Sequence, residues 1–426
     1  MRYGHHRAGA SRESASRCRQ DDRDRRRLLR RRRGHPLAVG KGAKRPSRAR
    51  MRGQLLDEAA RATLPSAVDV CVCGGGAAGL VAAISAAEAG ASTAVLERDF
   101  SCGRSILATG GGRCNLTRLD LDARAYNDPA FIDAVCGPLF STDVLGFFDA
   151  CGLATSFESE GDTRIYPLSD RASSVREVLL GRARRAGVIL ACAREVGGIG
   201  GDSVLFRELF SDGEHSLRAK AIVLAGRDGF VPAGLDAVPF SPLLCPVACE
   251  GLPFDELDGR RVHARVTLLR DGKTVLDEYG EVLFRSYGLS GIVIFNLSRF
   301  ARRGDTVELD LAPGLDDSSF AKLVSSAGNA AGIVDPVIVD VLGDEKHVSC
   351  TVSGLAQTEH AQVRRGGLVT GQFDPATLMV RDRPGLFAAG EVIDIDGPCG
   401  GYNLSWAWRS GQIAGTAAAA YAKAGA

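Results

Sequence analysis

The chain has 426 residues, with 53 Lys and Arg against 51 Asp and Glu, for a formal charge of +2. That balance hides a split: residues 1–50 hold 18 basic against 4 acidic side chains, a net of +14 that leaves −12 for the remainder. The length suits two or three domains with a sizeable core, and the acidic body excludes a globular part built to grip nucleic acid.

The Arg-rich head, residues 1–65, carries "DDRDRRRLLRRRRG" and lacks the apolar stretch of a secretory signal. It reads as a disordered extension, with Met51 as the candidate true start of the protein. Twelve cysteines are scattered without a CxxC pair and apart from the seven His. That pattern predicts reduced thiols, a cytoplasmic location and no metal site. No apolar run reaches membrane-spanning length, so no membrane partner is expected.

From Val68 the chain reads strand, turn, helix, strand. "VDVCVC" suits a buried parallel strand; Leu80, Ala83, Ile84 and Ala87 recur at helical spacing before Gly90; "STAVLE" is the second strand. This is one βαβ unit with a right-handed crossover. Helices are predicted over 128–150 and 170–187, and strands over 188–225 with "SDGE" as a hairpin turn. Alternating runs from Pro242 to about Leu311 predict a small antiparallel β domain, residues 315–345 a helical cap, and Asn403 to Ala424 a closing helix.

Between the first strand and helix, Gly74, Gly75, Gly76, Ala77, Ala78 and Gly79 fit G-x-G-x-x-G. Gly74 permits the tight turn, Gly76 clears room for a pyrophosphate, and Gly79 lets the helix lie close to the sheet. The helix N-terminus offers unpaired N–H groups to the anion. Glu97, 23 residues after Gly74, stands where a carboxylate takes ribose hydroxyls, with Arg98 beside it. A 2′-phosphate would be repelled there, so FAD or NAD fits and NADP does not. Downstream, Gly103 and Arg104 could meet the pyrophosphate, and Gly110, Gly111 and Gly112 could let backbone approach a flat ring. The distant stretch "GLFAAGEVIDIDGPCGGYNLSWAW" adds a strand, a carboxylate, a glycine pair and a second helix start. Such a helix start would stabilise negative charge on a reduced flavin.

The stretches "GGGAAGLVAAI", "GGGRCNLT", "TRIYPLSDRASSV", "GEVLFRSYGLSG" and "GLFAAGEVIDIDGPCGGYNLSWAWRSGQIAG" resemble a bacterial family of NAD(P)/FAD-dependent oxidoreductases, in the same order from residue 68 to about 420. That family includes aminoacetone-oxidase-like and bile-acid enone reductase-like flavoproteins. The resemblance implies an α/β, Rossmann-like FAD-binding domain built from both chain ends, 66–240 and 351–426, with a β-barrel-like domain and small helical cap inserted at 241–350. It implies FAD as cofactor, with Gly74, Gly76 and Gly79 on the pyrophosphate and Glu97 on the adenosine ribose. Arg104, Gly110, Gly111, Gly112, Arg113 and Asn115 would line the flavin side. Glu391, after Gly390, would meet the ribityl chain, and Gly400, Gly401, Tyr402 and Asn403 would cap the isoalloxazine edge. Where the family usually shows "LATGG", this chain has "VLAGRDG", Val223 to Gly229, at the expected substrate entrance.

Candidate catalytic residues are Tyr402, as proton donor or stacking ring, Arg113, as anion holder or structural ion pair, and Tyr287, as a cavity residue or plain packing. Cys399 and Cys114 read as fillers, and Arg364 and Arg365 as a surface turn. The expected reaction is hydride exchange between flavin N5 and a small organic substrate, with NAD(P)H-driven reduction of a conjugated C=C bond one version. No second G-x-G-x-x-G appears, so a nicotinamide would visit the flavin as a transient donor. The rivals are an amine oxidase using O₂, and an RNA-associated or scaffold flavoprotein. Substrate and oligomeric state stay open.

Overall fold

The computed structural model describes residues 62–138, 140–226 and 231–425. The expected Arg-rich extension, apart from residues 62–65, and residues 227–229 of the Val223–Gly229 departure lie outside them. β1 (Ala67–Cys73) is buried along most of its length and feeds the glycine turn, α1 (Ala77–Glu88) follows, and β2 (Thr93–Glu97) returns parallel to β1. An apolar run without alternation is what a central parallel strand covered on both faces requires.

After β3 (Thr117–Arg118), the helix expected over 128–150 is two, α2 (Pro129–Cys136) and α3 (Phe140–Cys151). Gly137, at φ +62, ends the first, and Pro138 follows it. β4 (Thr155–Phe157) and β5 (Arg164–Pro167) join β3 in a small antiparallel sheet ordered β3-β5-β4. Next come α4 (Ala172–Arg185), β6 (Ile189–Cys192), β7 (Arg194–Gly200), β8 (Ser203–Glu208) and β9 (Glu214–Leu224). The main sheet runs β6-β2-β1-β9-β8-β7, parallel through the first four strands and antiparallel beyond.

β10 (Ala237–Leu243) leads into the insert. Its elements are β11 (Val247–Glu250), α5 (Phe254–Leu257), β12 (Arg261–Arg270), β13 (Lys273–Arg285), β14 (Gly288–Ser290), α6 (Ile292–Ser298), β15 (Thr306–Asp310), α7 (Asp317–Ala327), α8 (Pro336–Leu342) and β16 (His347–Leu355). The six strands close into a barrel, β11-β14-β13-β12-β15-β16, filled by Phe284, Leu268, Leu309 and Ile294. Closure leaves no open edge. The alternating pattern ending near Leu311 did not reveal the last barrel strand, which crosses residue 350. β17 (Val363–Leu368) then pairs antiparallel with β10, so two adjacent strands carry the chain out and back.

β18 (Leu386–Ala388) rejoins the main sheet parallel to β9, and α9 (Tyr402–Ala424) lies directly on α1. Glycines permit that approach: a Cβ at Gly415 would stand 2.1 Å from the Ala82 carbonyl oxygen, and one at Gly411 2.6 Å from that of Ala78. The first strands and the last helix share one core. This is a Rossmann-type α/β fold carrying an inserted barrel.

Candidate active site

The first glycine turn forms where β1 meets α1. Gly74 has φ +110, and a Cβ there would stand 2.7 Å from Gly226 on the neighbouring strand end. A Cβ on Gly79 would lie 1.8 Å from the Gly74 carbonyl oxygen. Protein packing therefore demands both glycines. Gly76 differs: a Cβ there would meet only the Ser105 hydroxyl, at 3.5 Å. What Gly76 keeps clear is the cleft. Gly76 is also the N-cap of α1 and supplies no capping side chain, so the helix N-terminus is left for an external anion.

Glu97 ends β2 and faces the same cleft. Its carboxylate accepts from the backbone N–H of Gly75 at 2.6 Å and of Asp99 at 2.7 Å. These two bonds aim the carboxylate along the cleft. Gly103 N–H donates to the Gly75 carbonyl at 2.7 Å, holding the next loop against the first. Arg104 pairs with Asp99 at 2.9 Å on the surface. Gly74–Gly76, Glu97, Arg98, Gly103, Arg104, Arg364 and Val392 all face one cleft of about 1000 Å³. An uncapped helix start, a glycine with no packing duty and a carboxylate two bonds deep are a cradle for a dinucleotide, and FAD fits it.

Distant residues complete the site. Gly390, φ +74, packs against Ala78 so closely that a Cβ would come within 2.6 Å of the Ala78 Cβ. Its N–H donates to Ser410 Oγ at 2.9 Å. Glu391 accepts from the Arg364 N–H at 2.7 Å. Arg364 and Arg365, expected as a turn, instead lie in β17. Arg365 enters a buried node in which Asp396, fully enclosed, accepts from Arg365 Nε at 2.9 Å and Arg299 Nε at 3.1 Å. Arg299 follows α6, so this node ties the barrel insert to the loop before α9.

The expected flavin end is a second cluster. Residues 110–112 have φ values of +54, +64 and +91, a left-handed run only glycine adopts easily. With its amide oriented to satisfy its neighbours, Asn115 donates to Thr117 O at 2.9 Å and accepts from Gly401 N–H at 3.3 Å. Ser405 Oγ donates to Thr117 Oγ1 at 2.7 Å. The early glycine loop and the start of α9 thus touch. Asn403 spends its side chain on the Gly397 N–H and the Gly397 and Pro398 carbonyls, shaping the loop. Asn296, from α6, accepts from Cys399 N–H at 2.8 Å and braces the same loop.

The candidate catalytic residues separate here. Tyr402 is buried in this cluster, edge-on to Tyr126, and burial pushes its phenol up. Arg113 is held at both ends of its fork, by Asp170 at 2.5 Å and Glu158 at 2.7 Å, and stacks 4.4 Å over the Tyr166 ring. Tyr287 lies at the β13–β14 turn, where its carbonyl accepts from Cys249 N–H and its ring lies near Arg285. No described contact joins it to Gly400–Asn403. Burial lifts the Cys399 and Cys114 thiols to about 12, which keeps both unreactive.

Sequence reasoning missed Arg118, Arg164 and Tyr166. They share one face of the β3-β5-β4 sheet by strand alternation and register. A Cβ on Gly110 would stand 3.8 Å from Tyr166, and one on Gly400 3.5 Å from Arg118 Nη1. Burial and Glu158 push the Tyr166 phenol up to about 12, so it is neutral and protonated near pH 7. The quoted segment "TRIYPLSD" contained two of the three, but only strand pairing brings them to the glycine loops.

The profile of the HI0933-like protein Rossmann domain matches residues 68–417. A 3-dehydro-bile acid delta(4,6)-reductase of Clostridium scindens is 31% identical over 405 residues, 82% of this chain and 98% of its own. A ribosomal RNA dihydrouridine synthase of Escherichia coli is 26% identical over 390 residues, 80% of this chain and 96% of its own. The solved 3-ketosteroid-delta4-(5alpha)-dehydrogenase of Rhodococcus jostii overlays at a TM-score of 0.46 and 16% identity, over 84% of this chain and 98% of its own, a level that carries no argument. The chain belongs to the HI0933-like Rossmann family and is an FAD-dependent oxidoreductase.

Proposed function

We propose that the protein reduces a C=C bond conjugated to a carbonyl in a small organic substrate, with NAD(P)H as the transient electron donor. The observation that carries this reading is the 31% identity to a bile-acid delta(4,6)-reductase along nearly the whole of that relative. The name of the second relative points to the same functional group, since dihydrouridine is a uridine whose ring C=C, conjugated to a carbonyl, has been saturated. FAD, when bound, supplies two-electron hydride chemistry. The chain's own residues would seat its pyrophosphate at Gly76, its ribose at Glu97 and its ring beside Gly110–Gly112 and Gly400–Tyr402. The protein contributes position, water exclusion and fixed charge.

The test is anaerobic mixing of the FAD-loaded protein with NADH and with NADPH, followed by a 4-en-3-one steroid. Bleaching by a nicotinamide and recovery of colour on adding the steroid support the reading. Bleaching by an amine with recovery only in O₂ would make it an oxidase. Bleaching by nothing would leave a scaffold.

A second reading is favoured by the ribosomal RNA dihydrouridine synthases at 26% and 24% identity. The body's net charge of −12 weighs against RNA, because phosphate binding rests on Lys and Arg. Formation of dihydrouridine in RNA transcripts, with none of the steroid reduced, would decide for it. The free thiols of the described cysteines suit the reducing cytoplasm, where we expect the protein to act.

A further inference from the structure

Arg118 on β3 and Arg164 on β5 stand directly opposite each other across the strand pair. Like charges so placed oppose pairing. Each is steadied by its own aspartate on one edge only. Arg118 donates through Nε and Nη2 to Asp120, at 2.6 and 2.8 Å, and Arg164 through Nε and Nη2 to Asp162, at 3.0 and 2.5 Å. Among the described residues, neither Nη1 makes a hydrogen bond. The free edge of Arg118 lies toward Gly400, where a Cβ would stand 3.5 Å from its Nη1, and the stem of Arg164 borders the same spot, with Cδ at 4.0 Å. The Tyr402 ring, 5.1 Å from Arg118 Cζ, supports one guanidinium from the side. Arg113 is the contrast, since both of its edges are taken.

We infer that Arg118 and Arg164 form the oxyanion site of this enzyme: their free edges receive the carbonyl oxygen of an α,β-unsaturated carbonyl substrate as negative charge builds on it. This rests on the reading of the reaction given above and names the residues that make it work. Hydride adds to the β-carbon with its electron pair. The former C=C pair shifts toward the carbonyl, whose oxygen becomes an enolate oxygen. A proton from water then adds at the α-carbon, and the C=O bond re-forms. The two electrons come from NAD(P)H by way of FAD. Guanidinium groups suit this duty because they stay charged at any working pH and hold their N–H groups in a fixed plane. The aspartates fix that plane before substrate arrives, so little reorganisation accompanies the charge shift.

An aromatic enolate mimic tests it. 4-Chlorophenol is titrated into the oxidised, FAD-loaded full-length protein, and long-wavelength charge-transfer absorbance is followed. The wild type should bind the phenolate in preference to the phenol. Arg118→Gln and Arg164→Gln should each weaken that binding roughly 10- to 100-fold, the range of one charge-assisted hydrogen bond. Arg118→Lys should recover part of it, and Arg265→Gln, on the barrel surface beside Asp277, should change nothing. A yellow protein that reduces the steroid but whose phenolate affinity ignores both arginines overturns this inference alone. So does a yellow wild type that binds no phenolate. A protein that takes up no FAD overturns the inference together with the cofactor reading beneath it.

Discussion

The indole N–H of Trp406 donates to the Gly390 carbonyl at 3.0 Å, and Gly390 in turn rests on Ala78 in the first turn of α1. Two residues 16 apart near the C-terminus thereby fix the wall of the first glycine loop, more than 300 positions earlier in the chain. Trp408 repeats the device, donating to the Leu116 carbonyl at 3.0 Å. Both tryptophans are buried, so each bond satisfies a carbonyl that would be costly to leave unpaired. One helix thus holds both glycine loops, and the site depends on helix packing as much as on motif residues.

Gly76 and Gly79 should fail differently. Gly76→Ala places its methyl in the cleft with only Ser105 near, so the apoprotein should unfold within about 0.5 kcal/mol of wild type while FAD affinity falls at least tenfold. Gly79→Ala drives its methyl into the Gly74 carbonyl and should cost about 1–3 kcal/mol or more of stability. Thermal unfolding with and without flavin checks both. Equal loss of stability in the two variants would mean the cradle is misplaced.

Glu97→Ala removes the acceptor proposed for the ribose and also strips the Gly75 and Asp99 N–H groups of their partner. Charge-assisted bonds of about 1.5–3 kcal/mol each are at stake, so FAD retention should fall by roughly 10- to 100-fold or more. Flavin fluorescence on dilution measures it. Full occupancy after gel filtration would contradict the assignment.

Asp396→Asn should destabilise the whole protein. The carboxylate is fully buried between Arg299 and Arg365, and removing one member of such a node leaves buried charge without compensation, costing about 3–5 kcal/mol. Because the node joins barrel and cofactor loop, flavin should leave at lower temperature than in wild type. Denaturant unfolding with flavin release followed in parallel tests this, and an unchanged midpoint would show that the node is dispensable.

Asp120 and Asp162 are held down at about 2, chiefly by the hydrogen bonds from Arg118 and Arg164. Their folded values lie below the ordinary Asp value near 3.9. The support they give is therefore complete above that ordinary value and disappears as pH falls through about 2. Carboxyl NMR should find both still ionised at about pH 3, and in Arg118→Gln the Asp120 midpoint should rise toward the ordinary value. Midpoints near that value in the wild type would mean the arginine forks are not held as described.

The first glycine turn was legible because it is local. Gly74, Gly76, Gly79 and Glu97 sit at spacings that one strand, one turn and one helix dictate. The closing helix, expected over Asn403 to Ala424, starts one residue earlier, and its glycines prove to be contact points with α1. What escaped was set by long-range register. Arg118 and Arg164 face each other only because β3 and β5 pair across some 45 residues, and nothing in either segment marks the other. The span 128–150 looked like one helix because apolar periodicity outweighed Gly137 and Pro138. Arg365 looked like a turn residue beside a glycine pair, although its charge is spent inside the protein on Asp396.

If both ends of the chain enclose one FAD, flavin stoichiometry of the purified protein measures it most directly. One FAD should be released per chain on denaturation, with flavin content reduced in Gly76→Ala and lost in Gly401→Val, whose side chain would enter the Thr117 backbone. A colourless wild type that takes up no added FAD, or full flavin content in both variants, would contradict it.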